Sequence, residues 1–166
     1  MRKLEPQTKI LNITVNDKSA FISPYSETGR PIISYEAADF LENSVKAFAP
    51  QDSIVLNVHS DVIEKDEQPA FSQAIKNYYS LKQQDVIRDV KRKTFFSIIM
   101  SIIGICALAI MFIFSRFLNE IWTECIDIFA WVFIWEAVDL FCIQKGALKI
   151  SYKRYDNFIK MQINFV

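Results

Sequence analysis

The sequence predicts an α-helical transmembrane hairpin of two spans, joined to a small α/β cytosolic domain and assembled as a homo-oligomer. Three observations predict this fold class: a long stretch without a charged residue, a second apolar stretch soon after it, and alternating polar and apolar residues before both. We expect a cytosolic α/β domain and linker helix over 1–93, the two-span hairpin over 94–144, and a cytosolic tail over 145–166 that packs on the N-terminal domain.

The first predicted span reads FFSIIMSIIGICALAIMFIF, from Phe95 to Phe114, and contains no charge over 20 residues. At a rise of ~1.5 Å per residue, a helix of this length covers ~30 Å, the thickness of the hydrocarbon core. A chain this short would leave little protein to wrap such a helix in a soluble core. Ser97, Ser101 and Gly104 fall on one stripe of the span and are candidate helix-packing residues, because small side chains let helices approach closely in lipid.

The N-terminal part has the pattern of a β-α-β unit followed by a long helix. KILNITV (Lys9–Val15) and SIVLNVH (Ser53–His59) alternate as strands do. Between them, Ser34 is a candidate N-cap for a helix over YEAADFLENSVKAF, which Pro50 ends. Apolar residues recur at helical intervals from Ala70 into the first span, which predicts one continuous helix. The tail after Lys145 is expected to be amphipathic, and its last residues, MQINFV, are expected to add a strand to the sheet.

The second predicted span, Ile121–Ile143, is the informative one because it carries carboxylates. A charge near the bilayer centre costs roughly 2.5–3.5 kcal/mol, so these groups must lie near an interface, be protonated, or face protein or water. Self-association around a hydrated axis is one solution, and rings of Asp or Glu favour cations. The alternative places them at headgroups or in interhelical hydrogen bonds. The pore-lining candidates are Glu120, Glu124, Asp127, Glu136 and Asp139.

Lysine and arginine placement predicts the orientation. Basic residues precede the first span and follow the second, whereas the intervening link has only Arg116. The positive-inside rule therefore puts both termini in the cytoplasm of a multi-pass protein of the cell inner membrane. The cluster before the first span would lie against anionic headgroups or bind an anionic cytosolic ligand; it consists of Arg88, Lys91, Arg92 and Lys93.

No motif of an enzyme, metal site or cofactor site occurs. The chain lacks the phosphate-binding glycine loops and the hydrolase and zinc signatures, and His59 is its single histidine. We therefore expect no catalytic residue, no metal and no cofactor. The hydroxyl-rich segment FISPYSETGRP contributes further ligand-binding candidates, Tyr25, Ser26 and Arg30, although such a segment is more often only a turn.

Two segments, PIISYEAADFLEN (Pro31–Asn43) and WVFIWEAVDLF at the end of the second span, resemble small bacterial two-span membrane proteins with a cytosolic α/β portion. Some of these are membrane effectors of phage-defence operons, including the membrane partner of the Hailong system. The resemblance implies a channel controlled by a DNA oligomer that a nucleotidyltransferase partner makes. It assigns no site residue.

Two functional hypotheses follow. The first is an oligomeric ion channel or pore-forming effector, with a tetramer as the working expectation, gated by a nucleotide or oligonucleotide that binds the cytosolic domain during antiviral defence. The second is a non-conducting membrane scaffold that recruits a cytosolic partner through the same domain.

Overall fold

The structure is a computed structural model that describes residues 7–114, 116–117 and 119–166. The protein is mostly helical, with one small parallel sheet. It divides into two compact units. The first, called here the sheet unit, comprises the residues through Asp85 together with Ile150–Val166, and the second, called the hairpin unit, is Val86–Lys149. The boundaries differ from those expected at 93/94 and 144/145, and both fall inside helical segments.

The sheet has three strands in the order β1-β2-β3, and both pairs are parallel. They are β1 (Thr8–Thr14), β2 (Ser53–His59) and β3 (Gln162–Phe165), so the predicted strands are present and the last residues add the third. Alternate residues of β2 are buried, as expected for a strand with helices on one side. Leu56, at the centre of β2, is fully buried.

Two short helices and parts of two longer ones cover the buried side of the sheet. α1 (Lys18–Phe21) begins at Asp17, whose carboxylate accepts a hydrogen bond from the Ser19 amide; the sequence analysis did not predict it. α2 (Tyr35–Ser44) begins at the predicted cap, where the Ser34 hydroxyl accepts from the Ala37 amide at 3.2 Å. Its predicted end near Phe48 is wrong, because hydrogen-bonded turns replace the helix after Ser44.

The core of the sheet unit contains two stacked aromatic pairs. Tyr79 is fully buried, and its ring stacks on Phe158 with 4.1 Å between centroids. Phe21 stacks on Phe71 in the same core. These contacts join the segments before and after the hairpin into one folded unit, because Phe158 lies in Ile150–Val166.

α3 (Gln68–Phe114) is 47 residues long and is continuous, as the apolar spacing predicted. It is long and apolar enough to cross a membrane, and among the described residues it is the one helix that meets this criterion. Only 11% of its most apolar window is buried within the chain.

The helical segment that contains the second predicted span continues beyond Ile143. α4 (Glu120–Val138) passes into a π-helical segment (Asp139–Gln144), which passes into α5 (Lys145–Lys160). The composition turns polar at Lys145, but a change in polarity does not break a helix when no proline intervenes. The predicted link at 115–120 lies partly outside the described residues.

Candidate functional site

The hairpin unit is held by a buried contact between α3 and α4. The Ser97 hydroxyl donates a hydrogen bond to the carbonyl oxygen of Ala137 at 2.9 Å, and both residues are buried. Ser97 is one of the three candidate packing residues. Without this bond the buried Ser97 hydroxyl would have no hydrogen-bond partner in an apolar environment.

Gly104 makes the second contact. A Cβ atom at this position would lie 2.7 Å from Cγ1 of Ile134 and 3.1 Å from the carbonyl oxygen of Ala130. Ala130 is fully buried. Ser97 contacts Ala137, and Gly104, seven residues later on α3, contacts Ala130, seven residues earlier on α4. The two helices are therefore antiparallel and meet at small residues. Ser101, the third packing candidate, is partly exposed, and its hydroxyl makes no hydrogen bond to any residue that the structure describes.

The alanines of α4 were missed in the sequence analysis. They repeat at the same interval of seven residues as Ser97 and Gly104, which is the spacing of a helix-packing seam. Such a matched interval on two apolar segments would have predicted the contact from the sequence.

The candidate pore residues lie along α4 and the start of the π-helical segment. Glu120, Glu124 and Glu136 are exposed, whereas Asp127 is partly buried. Within the described residues, no hydrogen bond or ion pair reaches any of these four carboxylates. Asp139 differs, because its Oδ2 accepts a hydrogen bond from Gln144 at 2.7 Å across the π-helical segment. The described part of the chain therefore leaves four carboxylates of α4 without a partner.

The basic candidates lie at the start of α3 within the hairpin unit, at the end away from Glu120. Arg88, Lys91 and Arg92 are exposed, and Lys93 is partly exposed. Arg92 pairs with Asp89 at 3.2 Å. Since α3 and α4 are antiparallel, Lys145 lies at the same end, with its ammonium 4.5 Å from the centroid of the Phe141 ring. This end is strongly positive and suits phosphate groups, whether of lipid or of a soluble ligand.

The remaining ligand candidates lie in a hairpin of the sheet unit. Tyr25 is 91% exposed and Arg30 is exposed. The Ser26 hydroxyl is already engaged: it donates to the Ser23 carbonyl and accepts from the Ile32 amide. Gly29 has a φ of 84°, which the turn requires. Tyr25 and Arg30 are thus displayed on a rigid turn, whereas Ser26 serves the turn itself.

A groove of about 380 Å³ lies at the carboxyl end of β1. A second, of about 300 Å³, adjoins the ends of β1 and β2 and is lined by His59, Ser60 and Asp61. Neither is lined by any predicted ligand residue. The first carries Asp17 and Glu36, and the second carries Asp61, so both favour a cationic or neutral occupant over an anion.

A polar cluster in the helical layer of the sheet unit was also missed. Burial raises the pKa of Tyr79 and of its neighbour Tyr78. Burial lowers the pKa of Lys82, but interactions with Tyr78 and Glu42 outweigh it and raise that pKa overall, so the ammonium stays charged. Tyr78, Tyr79 and Lys82 lie on α3, and Glu42 lies on α2.

Among the described residues, no group of three or more His, Cys, Asp and Glu side chains is arranged to hold a metal ion. No protein-family model, no curated protein and no solved structure matches the chain. The resemblance to phage-defence effectors therefore stays a prediction.

Proposed function

We propose that this protein is the subunit of a homo-oligomeric membrane channel or pore-forming effector that crosses the inner membrane twice and keeps both termini in the cytoplasm. One observation carries the proposal: the carboxylates of α4 have no partner within the described chain, although α4 packs against the one helix apolar enough to span a membrane.

The second crossing is argued from the α3–α4 contact. α4 has 19 residues, which correspond to ~28 Å at ~1.5 Å per residue. Because α4 runs antiparallel to the apolar part of α3 and meets it from Ala130 to Ala137, membrane insertion of α3 places α4 at the same depth. Hydropathy alone does not select α4, since its carboxylates oppose insertion.

Assembly of several copies would keep the carboxylates of α4 away from lipid. Each costs roughly 2.5–3.5 kcal/mol near the bilayer centre if it faces lipid. Glu120 and Glu124 begin the helix and reach headgroups, whereas Asp127 and Glu136 lie deeper. Copies of the chain that turn the Asp127 face towards a shared, hydrated axis remove this cost for Asp127. Glu136 follows Asp127 by nine residues, about 180° round α4 at ~100° per residue, so it needs a neighbouring helix or a proton instead. A ring of aspartates at that axis attracts cations.

Gating is the second part of the proposal. An anionic ligand such as a nucleotide or oligonucleotide, made by a nucleotidyltransferase partner in antiviral defence, would bind basic side chains of the protein. The exposed candidates are Tyr25 and Arg30 on the turn and the cluster of Arg88, Lys91, Arg92 and Lys93. α3 supplies residues to both units, so a ligand that favours one arrangement of this helix would bias the open or the closed state.

The proposal is tested with the purified full chain in planar bilayers. We expect a cation-selective conductance that falls, and loses selectivity, in the Asp127→Asn variant, and a smaller change in Glu136→Gln because Glu136 lies on the opposite face of α4. Glu36→Gln, an exposed carboxylate of the sheet unit, is the matched control. Conductance and selectivity that are the same in all three variants and the native chain would sink the pore assignment.

The alternative is a non-conducting scaffold that recruits a cytosolic partner. It is favoured by the face of the sheet that no described helix covers, which offers a surface to another protein. A stoichiometric partner recovered from native membranes, together with no ion flux from the chain, would support the scaffold. Flux from the purified chain alone rules it out.

A further inference from the structure

The sheet has one face without a covering layer in the described part of the chain. The side chains on its other face belong to the core, including Ile13, Leu56 and Val58. On the uncovered face, Ile10 is 62% exposed and Asn12 is exposed. All-parallel sheets normally have both faces covered. Within the described residues, this parallel sheet therefore lacks a layer on one face, and another molecule can supply it.

An asparagine ladder crosses the centre of this face. Asn12, Asn57 and Asn164 occupy the same register on β1, β2 and β3. The Asn57 amide donates to Asn12 Oδ1 at 2.9 Å, and the Asn164 amide donates to Asn57 Oδ1 at 3.1 Å. The sequence signals the ladder, because each strand contains an asparagine between two apolar residues: LNI, LNV and INF. Each amide keeps a second N–H for an acceptor outside the ladder.

The rows beside the ladder are short and almost free of charge. Ile10 and Val55 lie side by side on one flank, and Thr14 and His59 lie on the other. Apart from His59, no strand residue on this face is acidic or basic among those that the structure describes. The face offers no cation for phosphates and no Phe, Tyr or Trp ring for base stacking, so it does not suit a nucleic acid.

These properties fit a second copy of the same face. Amides donate and accept, so an asparagine row is self-complementary, and a neutral surface meets its own copy without repulsion. The area of this face limits how strongly two copies can bind through it. Strands ~4.8 Å apart, with a rise of ~3.3 Å per residue, give a face of roughly 14 by 23 Å, or ~320 Å². A stable interface buries about 800 Å² per partner, so this face holds two copies together only when something else concentrates them.

We propose that the uncovered face of the sheet pairs with the same face of a second copy of this chain, with the two asparagine ladders in contact. The inference rests on the proposed oligomer, whose membrane-embedded helices supply the local concentration that the small face needs. It assigns a cytosolic contact to that oligomer in addition to the contacts around its axis.

The test is cross-linking of the full chain in nanodiscs. Cys106, Cys125 and Cys142 are replaced by alanine, and Asn57→Cys is introduced at the centre of the ladder. Stacked sheets lie ~10 Å apart, so a short bismaleimide that spans this gap should link two copies. Lys76→Cys, exposed on the helical layer of the same unit, is the matched control and should not be linked. Equal linking of both variants, or none at Asn57→Cys, overturns the pairing.

Native mass spectrometry of the same nanodisc samples separates the two proposals. An oligomer without the Asn57→Cys link refutes the face pairing and leaves the channel assembly intact. A single copy per nanodisc refutes the assembly itself.

A charge-swap pair addresses the case in which Asn57→Cys disturbs the strand. Linking is then read from Asn12→Cys, with Ile10→Lys and Ile10→Glu introduced beside it. Each charge alone should lower linking by about fivefold, because the small interface then holds two like charges. Co-expression of the two charged chains should restore it. If neither charge lowers linking, Ile10 is not at an interface and the proposal fails.

Discussion

Replacing Gly104 by alanine tests the contact between α3 and α4. The new Cβ would lie 2.7 Å from Ile134 Cγ1 and 3.1 Å from the Ala130 carbonyl oxygen. Carbon atoms prefer separations of ~3.5–4.0 Å, so one helix has to move by up to ~1 Å. Gly146 is the matched control, because a Cβ there meets nothing within 4 Å.

The magnitude follows from two opposing effects. Overpacking a closely fitted contact costs about 1–3 kcal/mol. Alanine favours a helix over glycine by about 0.8–1.0 kcal/mol. We therefore expect Gly104→Ala to destabilise the hairpin by about 1 kcal/mol and Gly146→Ala to stabilise its helix by up to about 1 kcal/mol.

The assay is reversible unfolding of the full chain in mixed micelles by SDS, followed by the fluorescence of Trp131 and Trp135 on α4. A double-mutant cycle with Ile134→Ala localises the effect. Removing the Ile134 side chain relieves the clash, so Gly104→Ala should cost less in that background. If Gly104→Ala behaves like Gly146→Ala, or if its cost is unchanged in the Ile134→Ala chain, the α3–α4 contact described here is refuted.

Three further predictions follow from the packing and charges. Ser97→Ala removes the hydrogen bond to the Ala137 carbonyl and should cost about 0.6 kcal/mol, at most about 1.7, in the same SDS titration; a larger loss would show that the hydroxyl does more than bridge two helices. Tyr79→Ala should destabilise the sheet unit by about 3–5 kcal/mol. Tyr79→Phe should cost less than about 1 kcal/mol, because the lost hydroxyl lies 3.5 Å from the Ala38 carbonyl oxygen and makes only a weak hydrogen bond. Hydrogen exchange of the full chain measures both losses, and equal losses would contradict the stacking argument. The hydrogen bond from Lys18, and after it the one from the Glu64 amide, lowers the pKa of Glu67. The stabilisation is therefore present above the ordinary value of 4.5 and is lost as the pH falls through the lower folded value. Lys18→Met should reduce this acid dependence of hydrogen exchange, and an unaltered profile would show that the pair contributes nothing.

Local patterns predicted the elements whose causes are local. The alternation around Ile13 and Leu56 gave the strands, and the Ser34 hydroxyl began α2 where a cap was expected. The end of α2 depends on distant groups. The buried Asp52 carboxylate accepts from the amides of Ala49 and Gln7, which holds the chain in turns before β2. Helical spacing up to Phe48 contains no sign of that contact.

The candidate site could be predicted only in part, because it also depends on contacts between residues that are distant in the sequence. The small-residue stripe of α3 was read from spacing, but the partner of each residue depends on which part of α4 lies opposite it. The π-helical segment between α4 and α5 has no composition signal, since Phe141 and Cys142 are ordinary residues of an apolar helix. The ladder of Asn12, Asn57 and Asn164 needed the strand register, which an isolated sequence pattern does not supply.

The central claim is that copies of the chain shelter the carboxylates of α4 together. Native mass spectrometry of the full chain, extracted from membranes in nanodiscs, tests this most directly. The account predicts a mass that is a whole-number multiple, two or greater, of the 19.3 kDa chain. It also predicts that the mass distribution shifts when Asp127→Asn removes a charge from the shared face. A single 19.3 kDa chain in every nanodisc, for the native protein and the variant alike, would contradict it.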